Sequence, residues 1–459
     1  MKNIMELKDK LRWINFSDML NDEYRQACSE GKEVAWAPKK IEEIQAIESR
    51  TERELAARTL LEKMEALPAN IPYFEPDEYE EIVATLPEES YVEYPVGPTT
   101  VEEKLKGGWY GRMVGCTLGI PVEGWTRNKI RDYLNETGQN TIDDYISSDV
   151  SPDIAAKYQV SDYDPYTPYD RQCTCWRENL TGFPVDDDVN YTIVALKALE
   201  RYGKDLTAMQ VADTWLHSIP ALHACTAERA AIRNLMLGIL PPDSGMYCNP
   251  YREWIGAQIR ADLFGYVTPG KPRAAAKLAY SDAVVSHRKN GIYGEMYIAA
   301  LISMSYVDNL DILEKVRIAM SQIPPMSRLY EALLSVCEQF TNGASYDDII
   351  NQVHESYDEE IQFDWCLTIP NAMIVTACVL WHNEYEAAVK AAIVAGFDTD
   401  CNGATVGSIL GVCGGSSVVD AKWYKRFPAV FHSSVHGYSH ISIDEVIDRS
   451  KNLITKLYQ

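Results

Sequence analysis

Gly111, Gly115 and Gly119 recur every fourth residue inside VEEKLKGGWYGRMVGCTLG, a segment whose apolar positions otherwise follow the helical period. Residues four apart share one face of a helix, so these glycines form a stripe that carries no side chains. Each costs roughly 1 kcal/mol against alanine in a helix interior, and the stripe therefore predicts very close packing of another helix. Long apolar-periodic segments recur beyond it: NYTIVALKALERYG, TAERAAIRNLMLGIL, YGEMYIAALISMSYV, NAMIVTACVLWHN and YEAAVKAAIVAG. Alternating β runs are few, so the predicted fold class is all-α. No internal repeat of the solenoid kind is visible.

The organisation divides near residue 99. Residues 1 to about 66 alternate acids and bases around sparse apolar positions, as in IEEIQAIESRTERELAARTLLEKMEAL, and read as exposed amphipathic helix. Residues 67–98 are rich in proline, acids and tyrosine, the composition of an extended connector lying on a surface. Residues 1–98 thus form an N-terminal helical extension and linker, through which a partner or a second copy is expected to associate, and 99–459 form the main domain. Within the latter, residues 145–185 lack helical period and read as a long irregular insertion, of the kind that forms lids or substrate rims.

Composition excludes more than it proves. A net charge of −24 with no Lys/Arg cluster argues against binding a nucleic-acid backbone, which needs cations to displace counterions. Apolar residues make up 46% of the chain, yet no run approaches the ~20 needed to cross a bilayer, and MKNIMELKDKLRW is too charged for a secretory signal. The expected location is the cytoplasm. The eleven cysteines are scattered, and their one close pair, Cys173 and Cys175, is CxC and not a CxxC zinc or redox motif. Reduced thiols are the expected state.

Three constellations are able to carry chemistry. Asp186, Asp187 and Asp188 stand immediately before the apolar segment at Tyr191. Three adjacent carboxylates repel one another unless a cation or a helix N-terminus absorbs the charge, so metal binding and N-capping both remain open. Asp398, Asp400 and Asn402 alternate in GFDTDCNGAT after a helix-stopping Gly396. This spacing places oxygens on one side of a tight turn, as a hard divalent cation requires, although capping serves as well. Gly403 falls at the sixth place of an EF-hand loop counted from Asp398, but Ile409 stands where its bidentate Glu belongs, which disfavours calcium sensing. Glu123 follows the glycine stripe in GIPVE, and taken alone is a surface acid at a domain rim.

Together these motifs resemble the ADP-ribosylglycohydrolase family, of which the dinitrogenase reductase-activating glycohydrolases are members. The resemblance runs from about Leu105 to about Phe431. GFDTDCNGATVGSILG is similar to the family's GxDTD signature with its small-residue helix, DDDVNYT to its acidic TDDT-like element, and GCTLGIPVE to its first helix ending in Glu. GAQIR at 256–260 and SHRKNGIYGEMYIAAL from Ser286 are weaker matches in the same order. The resemblance implies a compact orthogonal helical domain and two divalent cations, Mg²⁺ first and Mn²⁺ as the alternative. It implies Asp186, Asp187, Asp188, Asp398 and Asp400 as metal ligands, and Glu123, Asp187 and Asp398 as catalytic residues, with Glu123 mobile. Gly256, His287, Tyr293 and Asn402 are implied substrate-binding positions, and Tyr247, Tyr251 and Tyr293 are candidates for stacking an aromatic aglycone. Asn371 falls where the family opens a late helix with Asn, and a cap explains it equally well.

Three positions depart from the pattern. Asp186, Val189 and Cys401 stand where the family usually has threonine, and Cys401 is a poor match for hard cations. Removal of ADP-ribose from a modified target is the leading functional expectation. The alternatives are hydrolysis of a small N-glycoside or nucleoside by the same dinuclear site, and a binding or antagonist protein with a vestigial site.

Overall fold

The computed structural model describes residues 10–161 and 175–458. Helices dominate it, as the apolar periods predict. Among the described residues, the one ladder pairs Val430–His432 with His440–Ser442 antiparallel, and isolated bridges join Phe183 to Phe431 and Trp254 to Leu367.

The glycine stripe finds its partner across most of the chain. The helices Pro98–Gly119 and Thr399–Gly414 run antiparallel, with Gly107 against Gly411, Gly111 against Gly407 and Gly115 against Gly403. A Cβ on any of these would lie within 2.0–2.6 Å of a carbonyl oxygen on the opposite helix, so only glycine permits the approach. At the end of the pair Gly119 abuts Thr399 and Asp400, and the Thr399 hydroxyl donates to the Gly119 carbonyl at 2.9 Å. Around this pair lie Asn290–Ser305, buried along its whole length, and Thr368–Trp381, buried over all but two residues. Both lack a polar face because other helices surround them.

The N-terminal extension corrects one expectation. It forms the helices Leu20–Ser29, Ala37–Gln45 and Arg50–Glu65, but their apolar faces are not left exposed. Met19, Leu20, Ile41, Leu60, Leu61 and Met64 share an apolar cluster with Ala227, Ala230, Tyr251, Trp254, Phe363 and Cys366 of the main domain. Fully buried Arg252 pairs with Glu23 at 2.7 Å and Glu30 at 3.0 Å, joining the two regions by charge as well. The apolar faces of these helices are thus packed on the chain's own main domain. The connector holds the α-helix Tyr79–Thr85 and the 3-10 turn Glu88–Tyr91, and donates its backbone to neighbours, Tyr94 N–H to Gly270 and Phe74 N–H to Met326. The stretch expected to be irregular contains the helix Pro152–Tyr158, capped by the Ser151 hydroxyl. Cys173 lies outside the described residues.

Among the described residues, no helix is long and apolar enough to cross a membrane.

Candidate metal centre

The acids singled out by sequence converge at one end of the glycine-packed pair. Asp186 sits at the N-cap of the helix Asp187–Tyr202, and its carboxylate accepts from the Asp188 N–H at 3.1 Å. One aspartate therefore meets the capping need, which leaves Asp187 and Asp188 for another role. Asp398 occupies the N-cap position of Thr399–Gly414 but makes no side-chain cap bond. Capping therefore does not account for Asp398.

The loop that presents Asp398 is held in an uncommon backbone. Gly396 has φ 81° and Phe397 φ 60°. A phenylalanine in that left-handed region costs roughly 1–2 kcal/mol, and its buried ring packs edge-on to His354 at 5.0 Å. Asn371 fastens the same loop. Its side-chain oxygen accepts from Asp398 N–H at 3.3 Å and from Asn402 Nδ2 at 2.7 Å, while its Nδ2 donates to the Trp365 and Leu367 carbonyls at 2.8 Å each. Asn371 lies inside Thr368–Trp381 and is a buried crosslink, not the cap that sequence left open.

Asp186, Asp188, Asp398 and Asp400 are each at most 4% exposed, and Asp187 is half-buried beside them. Asp188 Oδ2, Asp398 Oδ1 and Asp400 Oδ1 are buried without a hydrogen-bond partner. Burial and then the charges of neighbouring aspartates push the Asp398 carboxyl well above the usual carboxylate range, and burial does the same to Asp188 against the opposing pull of Arg112. Orphaned carboxylate oxygens facing one another in a desolvated recess suit a divalent cation, which replaces their mutual repulsion with attraction. Asp186, Asp188 and Asp400 offer ligand atoms within 4.8 Å of one another together with Cys116, and Asp398, Asp400 and Cys401 form a second group at the same spacing.

Glu123 follows the short 3-10 turn Ile120–Val122 at the end of the glycine helix, and its side chain is exposed. Crowding by the surrounding protein, and then the charges of Asp400, Asp398, Asp186 and Asp187, hold its carboxyl well above the ordinary range.

Sequence reasoning missed Arg112. This fully buried residue donates to Asp188 Oδ1 at 2.9 Å, to the Asp188 carbonyl at 2.8 Å and to the Ile259 carbonyl at 2.7 Å, and pairs with buried Asp262 at 2.9 Å. Its signal was a lone arginine in an otherwise apolar helical segment, because a buried guanidinium requires carboxylates around it. Cys116 and Glu228 were missed as well. Glu228 pairs with buried Arg260 at 2.5 Å, and burial raises its carboxyl to about 7.

The expected substrate positions are placed differently. Asn402 lies within the site, fully buried and bonded to Asn371. Gly256 is buried with the Glu228 carboxylate over its Cα, where a Cβ would meet Glu228 Oε1 at 2.3 Å. His287 is wholly buried, one ring nitrogen bonded to the Ser286 hydroxyl at 2.7 Å. The three tyrosines are engaged by the N-terminal extension: Tyr247 donates to Glu62 at 2.6 Å, Tyr251 bonds to Asp22, and Tyr293 donates to the Pro76 carbonyl. Tyr251 and Tyr293 are buried, so the structure gives these rings packing and tethering contacts in place of an open rim.

A family model described as ADP-ribosylglycohydrolase matches residues 97–452. No curated protein matches the chain. A solved structure described as an ADP-ribosylglycohydrolase-related protein complex is similar at a TM-score of 0.44 and 15% identity, covering 78% of this chain and 98% of that one.

Proposed function

The chain belongs to the ADP-ribosylglycohydrolase family, and from that premise we propose that it hydrolyses a glycosidic bond to ADP-ribose, releasing it from a modified target. The observation that carries the reading is the convergence of Asp186, Asp188, Asp398 and Asp400, with buried carboxylate oxygens lacking partners, and of Glu123 within reach of their charge and that of Asp187. Asp186, Asp187, Asp188, Asp398 and Asp400 would hold two divalent cations, for which the family resemblance implies Mg²⁺ or Mn²⁺. When bound, such ions supply Lewis-acid polarisation of ribose hydroxyls and water.

The remaining chemistry falls to the protein. Cleavage at the anomeric carbon develops positive charge, which the carboxylates of Asp187 and Asp398 stabilise. Glu123 is the acid–base residue. Crowding and the neighbouring aspartates raise its carboxyl, which favours the protonated form, and its exposure lets that proton reach the leaving group. Arg112 orients Asp188 from beneath and offsets part of the accumulated negative charge.

A second reading keeps the site and shrinks the substrate to a small N-glycoside or nucleoside. It is favoured by the burial of Gly256, His287 and Tyr293, the positions expected to line a larger substrate pocket.

The test is Mg²⁺- and Mn²⁺-dependent turnover across Arg-, Ser-, Thr-, base- and nucleotide-linked ADP-ribose and simple nucleosides. Release of free ADP-ribose, lost in an Asp187→Asn, Asp398→Asn double variant, is the expected result. Turnover of nucleosides alone selects the second reading, and full activity of the double variant removes the site assignment.

A further inference from the structure

Two thiols belong to the same constellation as the carboxylates. Cys116 lies on the glycine helix one residue past Gly115, and its sulfur is within 4.8 Å of an oxygen from each of Asp186, Asp188 and Asp400. Cys401 opens the opposing helix, and its sulfur is within 4.8 Å of oxygens from Asp398 and Asp400. The six side chains form two ligand groups that share Asp400, and each group contains one sulfur. None is more than 6% exposed. Other buried thiols have different surroundings: Cys378 meets the Tyr346 hydroxyl at 3.4 Å, and Cys337 meets the Met320 sulfur at 3.9 Å.

The orphaned oxygens of Asp188, Asp398 and Asp400 point to a ligand independently of the sulfurs. The donor set then decides which ion suits it. Mg²⁺ demands a near-ideal octahedron of oxygens and gains little from sulfur, whereas thiolate donors favour softer divalent ions. Each group of mixed oxygen and sulfur donors is therefore mismatched to Mg²⁺.

We propose that this centre is built for borderline divalent cations of the Fe²⁺, Co²⁺ and Zn²⁺ class, with Cys116 and Cys401 each presenting sulfur to one ion. The inference rests on the reading of the acidic recess as a metal centre. On ligation each thiol releases its proton to bulk water and gives a sulfur lone pair to the ion.

The test uses Co²⁺ as the probe on the metal-stripped full-length protein, followed by near-ultraviolet sulfur-to-cobalt charge-transfer absorption and, separately, by calorimetry. The wild type should develop the absorption on titration. Cys116→Ser and Cys401→Ser should each lose part of it, their combination should lose all of it, and Cys378→Ser should keep it intact. Zn²⁺ should also bind at least about tenfold more tightly than Mg²⁺, a preference that falls in the double serine variant. Co²⁺ binding by calorimetry without charge-transfer absorption in the wild type would overturn the sulfur ligation and leave an oxygen-only metal centre standing. No Co²⁺ binding at all would remove both. The wild-type measurement decides the matter even if a serine variant fails to fold.

Discussion

Replacing Gly115 with alanine sets two opposed effects against each other at the tightest point of the fold. Helix propensity alone favours the change by about 1 kcal/mol. The new Cβ, however, would stand 2.0 Å from the Gly403 carbonyl oxygen, 2.5 Å from its carbon and 3.0 Å from the Ala404 nitrogen, where ordinary contacts begin at 3.4 Å. These are backbone atoms and no rotamer change relieves them. The helices must part by roughly an ångström or more in an interior packed as densely as a crystal, and the neighbouring rungs at Gly111 and Gly119 part with them. Overpacking of this kind costs about 3 kcal/mol at the upper end of its usual range, which leaves a net loss of about 2 kcal/mol after the propensity gain. Urea unfolding is the assay, read as a lower midpoint at an unchanged slope. Mn²⁺ affinity should fall too, because Asp400 sits against Gly119 on the displaced pair. A Gly115→Ala protein that unfolds at or above the wild-type midpoint would refute the argument from close helix packing.

Further outcomes are expected at the site. Arg112→Met should destabilise the protein by about 3–5 kcal/mol, since Asp188 and Asp262 lose their common partner in the interior; adding Asp262→Asn should recover part of the loss in the same unfolding assay. Asn371→Ala should cost about 1–3 kcal/mol by leaving the Asp398 N–H, the Asn402 amide and two carbonyls without their partner. It should weaken Mn²⁺ binding more than Thr376→Val, a buried change on the same helix that touches neither Asp398 nor Asn402. For Glu228, burial raises the carboxyl from 4.5 to about 7, so between these values the folded chain holds a proton that the unfolded chain has lost. Its contribution to stability therefore falls as pH rises through that window, and Glu228→Gln should flatten the decline measured by unfolding across it.

The sequence by itself determined whatever depends on neighbours along the chain. The helical period of NYTIVALKALERYG and YGEMYIAALISMSYV, the stop at Gly396, and the demand of Gly111, Gly115 and Gly119 for a close partner all follow from local geometry. The acids of the candidate site were legible for the same reason, because DDD and DTD are short runs whose mutual repulsion needs an answer. Other features were settled only by contacts between distant residues. No local signal pairs Gly115 with Gly403, or directs Met19, Leu60 and Met64 onto Tyr251 and Trp254 instead of leaving them free for a partner. Cys116 and Glu228 stood in helical segments as unremarkable residues, and the lone Arg112 in its apolar segment did not name its partners. Their chemistry arises only when folding removes water and brings buried carboxylates beside them. Tyr247, Tyr251 and Tyr293 show the converse, since the same aromatic hydroxyls that suit a ligand rim also suit a tether, and the extension docked against them decided which they became. Periodicity and turn chemistry act over a few residues and survive in the sequence, whereas desolvation and charge pairing exist only once remote segments share one interior.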